Sequence, residues 1–238
     1  MTNDEKDRSG IIAYQDQEFL AREELRPVRL MLELMKPELL QREAGIASTI
    51  VVFGSARIKE GDRYYGIARE FSRIVSQSCQ LGGRCDYVVV TGGGPGIMEA
   101  ANRGADEVGA KSIGLNIVLP HEQSPNAYIT RGLGFTFHYF ALRKMHFMLR
   151  AKALVVFPGG FGTFDELFEA LTLVQTKKIE HLPVVLVGRA YWEKAVNFQH
   201  MLDEGMIEPA DLRLFRYAET AEEAWRHIVE YYAALGAD

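Results

Sequence analysis

The amino-acid sequence predicts an α/β fold in which a parallel sheet is wound with helices, and three observations support this prediction. The chain has 238 residues, 47% apolar and 25% charged, so it can bury a sizeable core. After Gly45, short β-branched runs alternate with amphipathic segments, which is typical of strand–helix–strand units. The runs lack polar alternation, as strands do when helices cover both faces. We therefore expect a Rossmann-like, doubly wound parallel sheet.

The first 45 residues have a different pattern. From Gln17 to Ala44, apolar residues recur at steps of three and four, which predicts helix, and the prolines at positions 27 and 37 are expected to interrupt or restart it. Mixed acidic and basic residues disfavour the alternative of a membrane-surface helix. The predicted organisation is an N-terminal helical extension, residues 1–45, followed by a single Rossmann-like α/β domain, residues 46–238.

Five strands, six helices and one further short strand are predicted in the α/β domain, in alternating order. The strands are Ser48–Phe53, Tyr87–Val90, Ser112–Ile117, Ala153–Phe157 and Val184–Val187, with the short one near Leu214–Tyr217. The helices are expected at about 62–79, 96–109, 138–151, 163–177, 190–204 and 220–235.

Composition disfavours several classes of function. Lys and Arg total 27 against 32 Asp and Glu, a formal net charge of -5, so the basic face needed for nucleic-acid binding is not indicated. The apolar runs are too short to cross a bilayer and the first 30 residues hold no apolar signal segment, so we expect a cytoplasmic protein with neither nucleic acid nor membrane as a partner. Cys79 and Cys85 have no His or Cys cluster nearby, and no metal is predicted.

Four glycine-bearing loops are predicted at strand ends: Gly54–Arg57, Thr91–Gly96, Gly132–Gly134 and Pro158–Thr163. Ligands of open parallel sheets bind beyond the carboxyl ends of strands, where helix N-termini offer unpaired N–H groups to anions. The loops TGGGPG and PGGFGT each follow a predicted strand and precede a helix, so together they predict a phosphate or nucleotide site. Neither fits the GxGxxG or Walker pattern, which disfavours NAD-dependent dehydrogenases and Walker-type ATPases.

Charged residues accompany the last of these loops. Arg143 is predicted on the helix that precedes the fourth strand, and Glu166 in the first turn of a helix opened by Thr163. A helix N-terminus stabilises an ionised carboxylate, so we expect Glu166 to be charged at neutral pH and able to act as a base or to stabilise a cation. The alternative is that Asp165, Glu166 and Glu169 only complement the helix dipole.

These motifs resemble those of the LOG ("Lonely guy") family, the cytokinin riboside 5'-monophosphate phosphoribohydrolases, whose members are often labelled lysine decarboxylases. The stretch PGGFGTFDELFE is similar to the family's PGGxGTxxE signature, and Arg143-Lys144 to its RK pair. GSAR at 54–57 and GGGPGIMEAAN at 92–102 are similar to two further loop motifs. The resemblance covers about residues 49–187, and Asp165 departs from the glutamate that plant-type members usually have.

The resemblance implies hydrolysis of the N-glycosidic bond of AMP or an N6-substituted AMP, which gives free base and ribose 5-phosphate. It implies Glu166 and Arg143 as catalytic residues, no cofactor, and a homodimer or higher homo-oligomer; the preferred base stays open. The substrate-binding residues that it implies lie in the loops and beside them: Gly54, Ser55, Arg57, Gly92, Gly93, Gly94, Lys144, Gly159, Gly160, Phe161, Gly162, Thr163 and Glu169.

Two other classes of function are alternatives. A non-catalytic nucleotide or alarmone sensor would use the same loops, but it has no need of a glutamate beside an anionic phosphate. A lysine decarboxylase would need pyridoxal phosphate on a Schiff-base lysine such as Lys144 or Lys152, and it would leave the two glycine loops unexplained.

Apolar residues on the predicted helices 138–151 and 163–177 exceed what one sheet face can cover. They predict an exposed patch at an interface between subunits. Its expected members are Phe137, Tyr139, Phe140, Phe147, Phe164, Phe168 and Leu171.

Overall fold

The computed structural model describes residues 8–80, 85–118 and 124–236. Within them, seven strands form one sheet in which all neighbours are parallel, in the order β4-β3-β2-β1-β5-β6-β7. The strands are β1 (Thr49–Phe53), β2 (Val88–Thr91), β3 (Ser112–Ile117), β4 (Gly134–Phe137), β5 (Ala151–Val156), β6 (Val184–Val187) and β7 (Phe215–Ala218). The predicted α/β fold is confirmed.

Helices cover both faces of this sheet. The described residues contain α1 (Gln17–Ala21), α2 (Arg26–Glu43), α3 (Arg63–Cys79), α4 (Ile97–Asp106), α5 (Phe140–Met148), α6 (Phe161–Gln175), α7 (Arg189–Ala195), α8 (Phe198–Asp203) and α9 (Ala221–Leu235). Successive residues of β1 point to opposite faces, so Val51 belongs to the apolar cluster on one face and Ile50 to the cluster on the other. Burial on both faces explains why the strands read as unbroken apolar runs.

The strand order positions the site. The first strand of the sheet, β1, is central. The chain then adds β2, β3 and β4 outward on one side of β1 and returns to place β5 on its other side. The loops that follow β1 and β5 therefore leave the sheet in opposite directions and open a crevice at the carboxyl edge, where ligands of such sheets bind.

Three predictions about elements and loops were wrong. The strand β4 was not predicted, since its four residues alternate exposed and buried at the sheet edge instead of forming an apolar run. Gly132–Gly134, predicted as a loop after a strand, leads into β4, whose first residue is Gly134, and so lies at the opposite end of the strands from the crevice. The helix expected over 190–204 is two helices, because Val196 is extended and Asn197 starts α8 by accepting the amide of His200 at 2.9 Å.

The N-terminal segment is helical, as predicted, and α2 packs against α5. Pro27 lies in the first turn of α2, where its missing N–H removes no helical bond. Pro37 was expected to interrupt the helix, but it is buried within an uninterrupted α2, which packing against the body of the protein stabilises. No helix among residues 8–80, 85–118 and 124–236 is both long and apolar enough to cross a membrane.

The apolar patch differs from the predicted one. Phe137 and Phe147 are only 1% exposed, and four other predicted members are half-buried against the same core: Tyr139, Phe164, Phe168 and Leu171. Neighbouring elements cover these side chains: Phe164 packs against Trp192 of α7, and Phe168 against Phe198 of α8. Phe140 stays 52% exposed.

Candidate active site

A cleft of about 960 Å³ lies where the sheet changes direction, between the loops that follow β1 and β5. Eleven of the fifteen predicted site residues line it: Gly54, Ser55, Arg57, Gly92, Arg143, Gly159, Gly160, Phe161, Gly162, Thr163 and Glu166. The sequence motifs thus meet in one crevice although they are up to about a hundred residues apart in the chain.

Ser55 ties three loops together through its backbone. Its amide donates to the carbonyl of Pro158 at 3.0 Å, and its carbonyl accepts the first amide of α4, that of Ile97, at 3.1 Å. Its hydroxyl accepts the amide of Arg57 at 3.0 Å, which turns this exposed cation to the rim of the cleft. The loops after β1, β2 and β5 are therefore held in one arrangement before any ligand binds.

Two glycines in these loops are required by close approach. A Cβ on Gly54 would lie 2.7 Å from Ile97, so only glycine lets α4 pack this tightly against β1. A Cβ on Gly92 would lie 2.6 Å from the Arg143 guanidinium and 2.8 Å from the sulfur of Met98. Gly92 therefore leaves the space that the Arg143 side chain occupies.

Arg143 extends from α5 across the floor of the cleft. Its Nε donates to the carbonyl of Leu115 at 2.7 Å, and its guanidinium carbon lies 5.1 Å from the ring centre of Phe147. Burial lowers the pKa of Arg143 below its ordinary value, an effect that the negative charge of Glu166 partly offsets. An arginine stays protonated under such conditions, so the floor of the cleft carries a fixed cation.

The expectation that Glu166 lies in the first turn of a helix opened by Thr163 was wrong. The helix α6 begins at Phe161, so Glu166 lies beyond the first turn, where the dipole has little effect. Burial raises the pKa of Glu166 to about 7, against the opposite effect of the neighbouring Lys144 and Arg143 charges. The carboxyl group can therefore both take up and release a proton near neutral pH.

Lys144 and Glu169 lie outside the cleft, in a neighbouring groove of about 560 Å³. The Lys144 ammonium is 2.8 Å from both the Asp165 and the Glu169 carboxylates. Burial alone would lower the pKa of Lys144, but hydrogen bonds to these two carboxylates raise it above its ordinary value. Lys144 thus acts on Glu166 through its charge, and its donors are engaged within the protein.

Gly93 and Gly94 are also absent from the cleft lining, unlike their neighbour Gly92. The Gly93 amide, predicted to bind phosphate, donates to the hydroxyl of Thr91 at 2.9 Å. Asn126 holds the loop from behind, since its amide group donates to the Gly94 carbonyl at 3.0 Å and its backbone N–H to the Gly93 carbonyl at 2.9 Å. Gly93 adopts a φ of 74°, which turns this part of the loop away from the cleft.

Several residues that line the cleft were not predicted from the sequence, among them Met98, Phe140 and Tyr191. The hydroxyl of Tyr191 donates to the carbonyl of Gly159 and so supports the PGGFGT loop. Tyr191 follows β6, and it carries no motif that could have placed it here. Its position after the carboxyl end of a strand next to β5 is the one signal that sequence offered.

Fold and cleft together define a class of protein, the doubly wound α/β proteins whose ligand site lies where the strand order reverses. Residues 98–228, more than half of the chain, match the family described as "Possible lysine decarboxylase". The chain belongs to this family, and its resemblance to the LOG proteins is confirmed by relatives that bear the LOG activity in their names.

A probable cytokinin riboside 5'-monophosphate phosphoribohydrolase of Oryza sativa subsp. japonica is 29% identical over 148 residues, 60% of this chain and 58% of that protein. A cytokinin riboside 5'-monophosphate phosphoribohydrolase of Arabidopsis thaliana is also 29% identical over 148 residues, 60% of this chain and 66% of that protein. The match spans less than two thirds of either relative.

Among solved structures, a molybdenum cofactor binding protein of the phototrophic bacterium Rippkaea orientalis is similar in fold. Its TM-score is 0.54 at 18% identity, and the alignment covers 79% of this chain and 96% of that one. This likeness shows the fold alone.

Proposed function

We propose that the protein hydrolyses the N-glycosidic bond of a nucleoside 5'-monophosphate, with AMP or an N6-substituted AMP as substrate. The observation that carries the proposal is that the half-buried Glu166 carboxyl and the Arg143 cation line one cleft. Partial burial raises the pKa of Glu166 to about 7. The names of the rice and Arabidopsis relatives support the same reaction.

In the proposed mechanism the bond between the sugar C1' and the base nitrogen breaks, and the bonding electrons leave with the base. The sugar passes through an oxocarbenium-like state, which the ionised form of Glu166 stabilises while it accepts a proton from the attacking water. Because its pKa is about 7, Glu166 can pass this proton on to the departing base. Water supplies the hydroxyl group of the product, ribose 5-phosphate.

The 5'-phosphate is assigned to the PGGFGT loop and the rim of the cleft. Gly160 is the N-cap of α6, and the Thr163 amide donates to its carbonyl at 3.0 Å, so the amides of Phe161 and Gly162 are assigned to the anion, with the Thr163 side chain beside them. Arg57 adds a cation at the rim, and Arg143 a second at the floor. Arg143 is thereby placed to bind phosphate or to stabilise the negative charge that develops on the base.

Binding without turnover is the competing function, and the Rippkaea orientalis neighbour is itself named a binding protein. Glu166 favours catalysis, because a buried carboxyl beside an anionic ligand weakens binding unless it takes part in the reaction. Schiff-base chemistry is disfavoured at Lys144, since two carboxylates keep that lysine protonated.

The decisive experiment incubates the protein with a panel of nucleoside monophosphates and with adenosine, and measures free base by chromatography. We expect base release from AMP or an N6-substituted AMP and little from adenosine, because the phosphate supplies binding energy. Equal rates with AMP and adenosine would contradict the proposal, and tight binding of AMP without any release would favour the sensor. We further propose that the enzyme acts in the cytoplasm and as a homodimer or larger homo-oligomer.

A further inference from the structure

The helix that carries Arg143 is capped by a residue from the N-terminal segment. The N-cap of α5, Tyr139, makes no side-chain capping bond to its own helix. Instead the carboxylate of Glu33, on α2, accepts the backbone amides of His138 at 2.9 Å and of Tyr139 at 3.1 Å. A carboxylate at this end of a helix satisfies unpaired donors and also complements the positive end of the dipole.

Tyr139 links this cap directly to Arg143. While its amide is held by Glu33, its carbonyl accepts the amide of Arg143 at 3.3 Å. Its hydroxyl accepts from the Nε of Arg29, also on α2, at 3.2 Å. The Arg29 guanidinium is itself held by the backbone carbonyls of Leu20 and Arg22, at 2.7 and 2.6 Å.

The other end of α5 is held by the same helix. The Nε2 of His146 lies 3.2 Å from the backbone carbonyl of Glu33, and burial lowers the pKa of His146, so a neutral ring donates this bond at pH 7. Glu38 forms an ion pair with Arg150, just beyond the end of α5. The segment α2 thus fixes α5 at both ends.

We propose that Glu33, a residue of the N-terminal segment, is a positioning residue that acts on Arg143 through the start of α5. The claim about activity rests on the proposed function. Glu33 lies outside residues 98–228, which match the family, and it lines neither the cleft nor the neighbouring groove.

The arrangement around Arg143 explains why a small movement of α5 matters. The guanidinium is confined between the Leu115 carbonyl, the Phe147 ring and the space left by Gly92. A shift at the start of α5 changes the direction from which the side chain enters this space. A misplacement of about 1 Å in a catalytic group can reduce turnover by about a hundredfold.

The test compares Glu33→Gln and Glu33→Ala with Glu38→Gln. Glutamine keeps one acceptor oxygen and alanine none. Glu38→Gln is the control, since Glu38 lies on α2 like Glu33 but faces His146 and Arg150 at the far end of α5 and makes no contact with its start. Hydrogen exchange of the amides at 138–143 is measured in the full-length protein, together with kcat and KM for AMP and the thermal unfolding midpoint.

We expect amide exchange at 138–143 to be fastest in Glu33→Ala, slower in Glu33→Gln and slowest in the wild type. The kcat should fall about 10- to 100-fold in Glu33→Ala and be partly restored in Glu33→Gln. Glu38→Gln should keep the wild-type kcat. Unchanged exchange in Glu33→Ala overturns the proposal, and so does faster exchange with an unchanged kcat. If the wild type releases no base at all, the proposed function fails, and the exchange data alone decide whether Glu33 holds α5.

Discussion

At the scale of single residues, Glu166 carries the chemical claim. Replacing it with glutamine keeps the size and removes the charge, so turnover of AMP should fall by roughly two to four powers of ten, the scale of a lost electrostatic or general-base contribution. Nucleotide affinity should be kept or rise, because a negative charge near the phosphate is gone. Arg143→Ala should instead reduce both turnover and affinity, since an arginine that faces phosphate acts in the ground state too.

Steady-state kinetics and calorimetric AMP binding measure both quantities. Base release at the wild-type rate in Glu166→Gln would remove Glu166 from the mechanism and return it to a purely structural role.

The raised pKa of Glu166 predicts a pH dependence. If the ionised form is the active one, kcat/KM rises with pH through an apparent pKa of about 7. Lys144→Met should move this rise to higher pH, because the Lys144 charge lowers the pKa of Glu166 while Asp165 and Glu169 raise it. The measurement is a pH–rate profile of each variant, with Lys152→Met as a control at an exposed lysine that lines neither the cleft nor the groove. An unshifted profile in Lys144→Met would argue that another group titrates.

Some features of single site residues could be predicted from the sequence, and others could not. The resemblance to the LOG motifs paired Arg143 with Glu166, and both line the cleft. The glycine loops could be grouped from sequence because strand ends of a parallel sheet converge at one edge. The protonation state of Glu166 was not accessible, since it depends on where α6 begins and on how α5 buries the carboxyl. The ion pairs of Lys144 were hidden for the same reason, as they join side chains of two helices.

At the scale of elements, the loop after β2 lines the cleft through Gly92, the residue that leaves space for the Arg143 side chain. Gly92→Ala should displace the Arg143 guanidinium, since the new Cβ would lie 2.6 Å from it. We expect weaker AMP binding and slower turnover, with changes similar in direction to those of Arg143→Ala. Calorimetry and kinetics measure the effect.

Gly66→Ala is the matched control. Gly66 lies within α3 with open space around its Cα, so alanine should stabilise the protein by about 0.5–1 kcal/mol and leave AMP binding unchanged. Wild-type AMP binding by Gly92→Ala would show that the Arg143 side chain is free to move, despite its contacts with the Leu115 carbonyl and the Phe147 ring.

Strands whose own residues indicate burial were predicted with close bounds. Elements whose conformation depends on contacts with distant residues were not predicted. Ser112–Ile117 and Val184–Val187 have the predicted bounds, and both strands are buried on both faces of the sheet. β4 is an edge strand of four residues whose pairing with β3 decides its conformation. The orientation of Gly93 away from the cleft likewise depends on its hydrogen bonds to Thr91 and Asn126. A pattern of glycines in the sequence does not specify these bonds.

At the scale of the whole molecule, the remaining exposed apolar surface predicts self-association. On α5 and directly after it, Phe140, Met145 and Leu149 are 52%, 46% and 50% exposed, and Phe161, which lines the same cleft as Phe140, is 96% exposed at the start of α6. Exposed apolar surface is a common mark of an interface, and most oligomers are symmetric assemblies of one chain. We therefore expect sedimentation at micromolar concentration to show a dimer or larger species rather than one of 26.8 kDa.

A charge within this surface should weaken the assembly. Met145→Glu places a carboxylate on the exposed side of α5, where burying it against a second copy would be costly, so the variant should sediment as a smaller species than the wild type. Val229→Glu is the control, because Val229 is a comparably exposed apolar residue, 46%, on α9 instead of α5. A wild-type protein that sediments only as a monomer would refute the predicted oligomer. Dissociation by Val229→Glu but not by Met145→Glu would move the interface to another face.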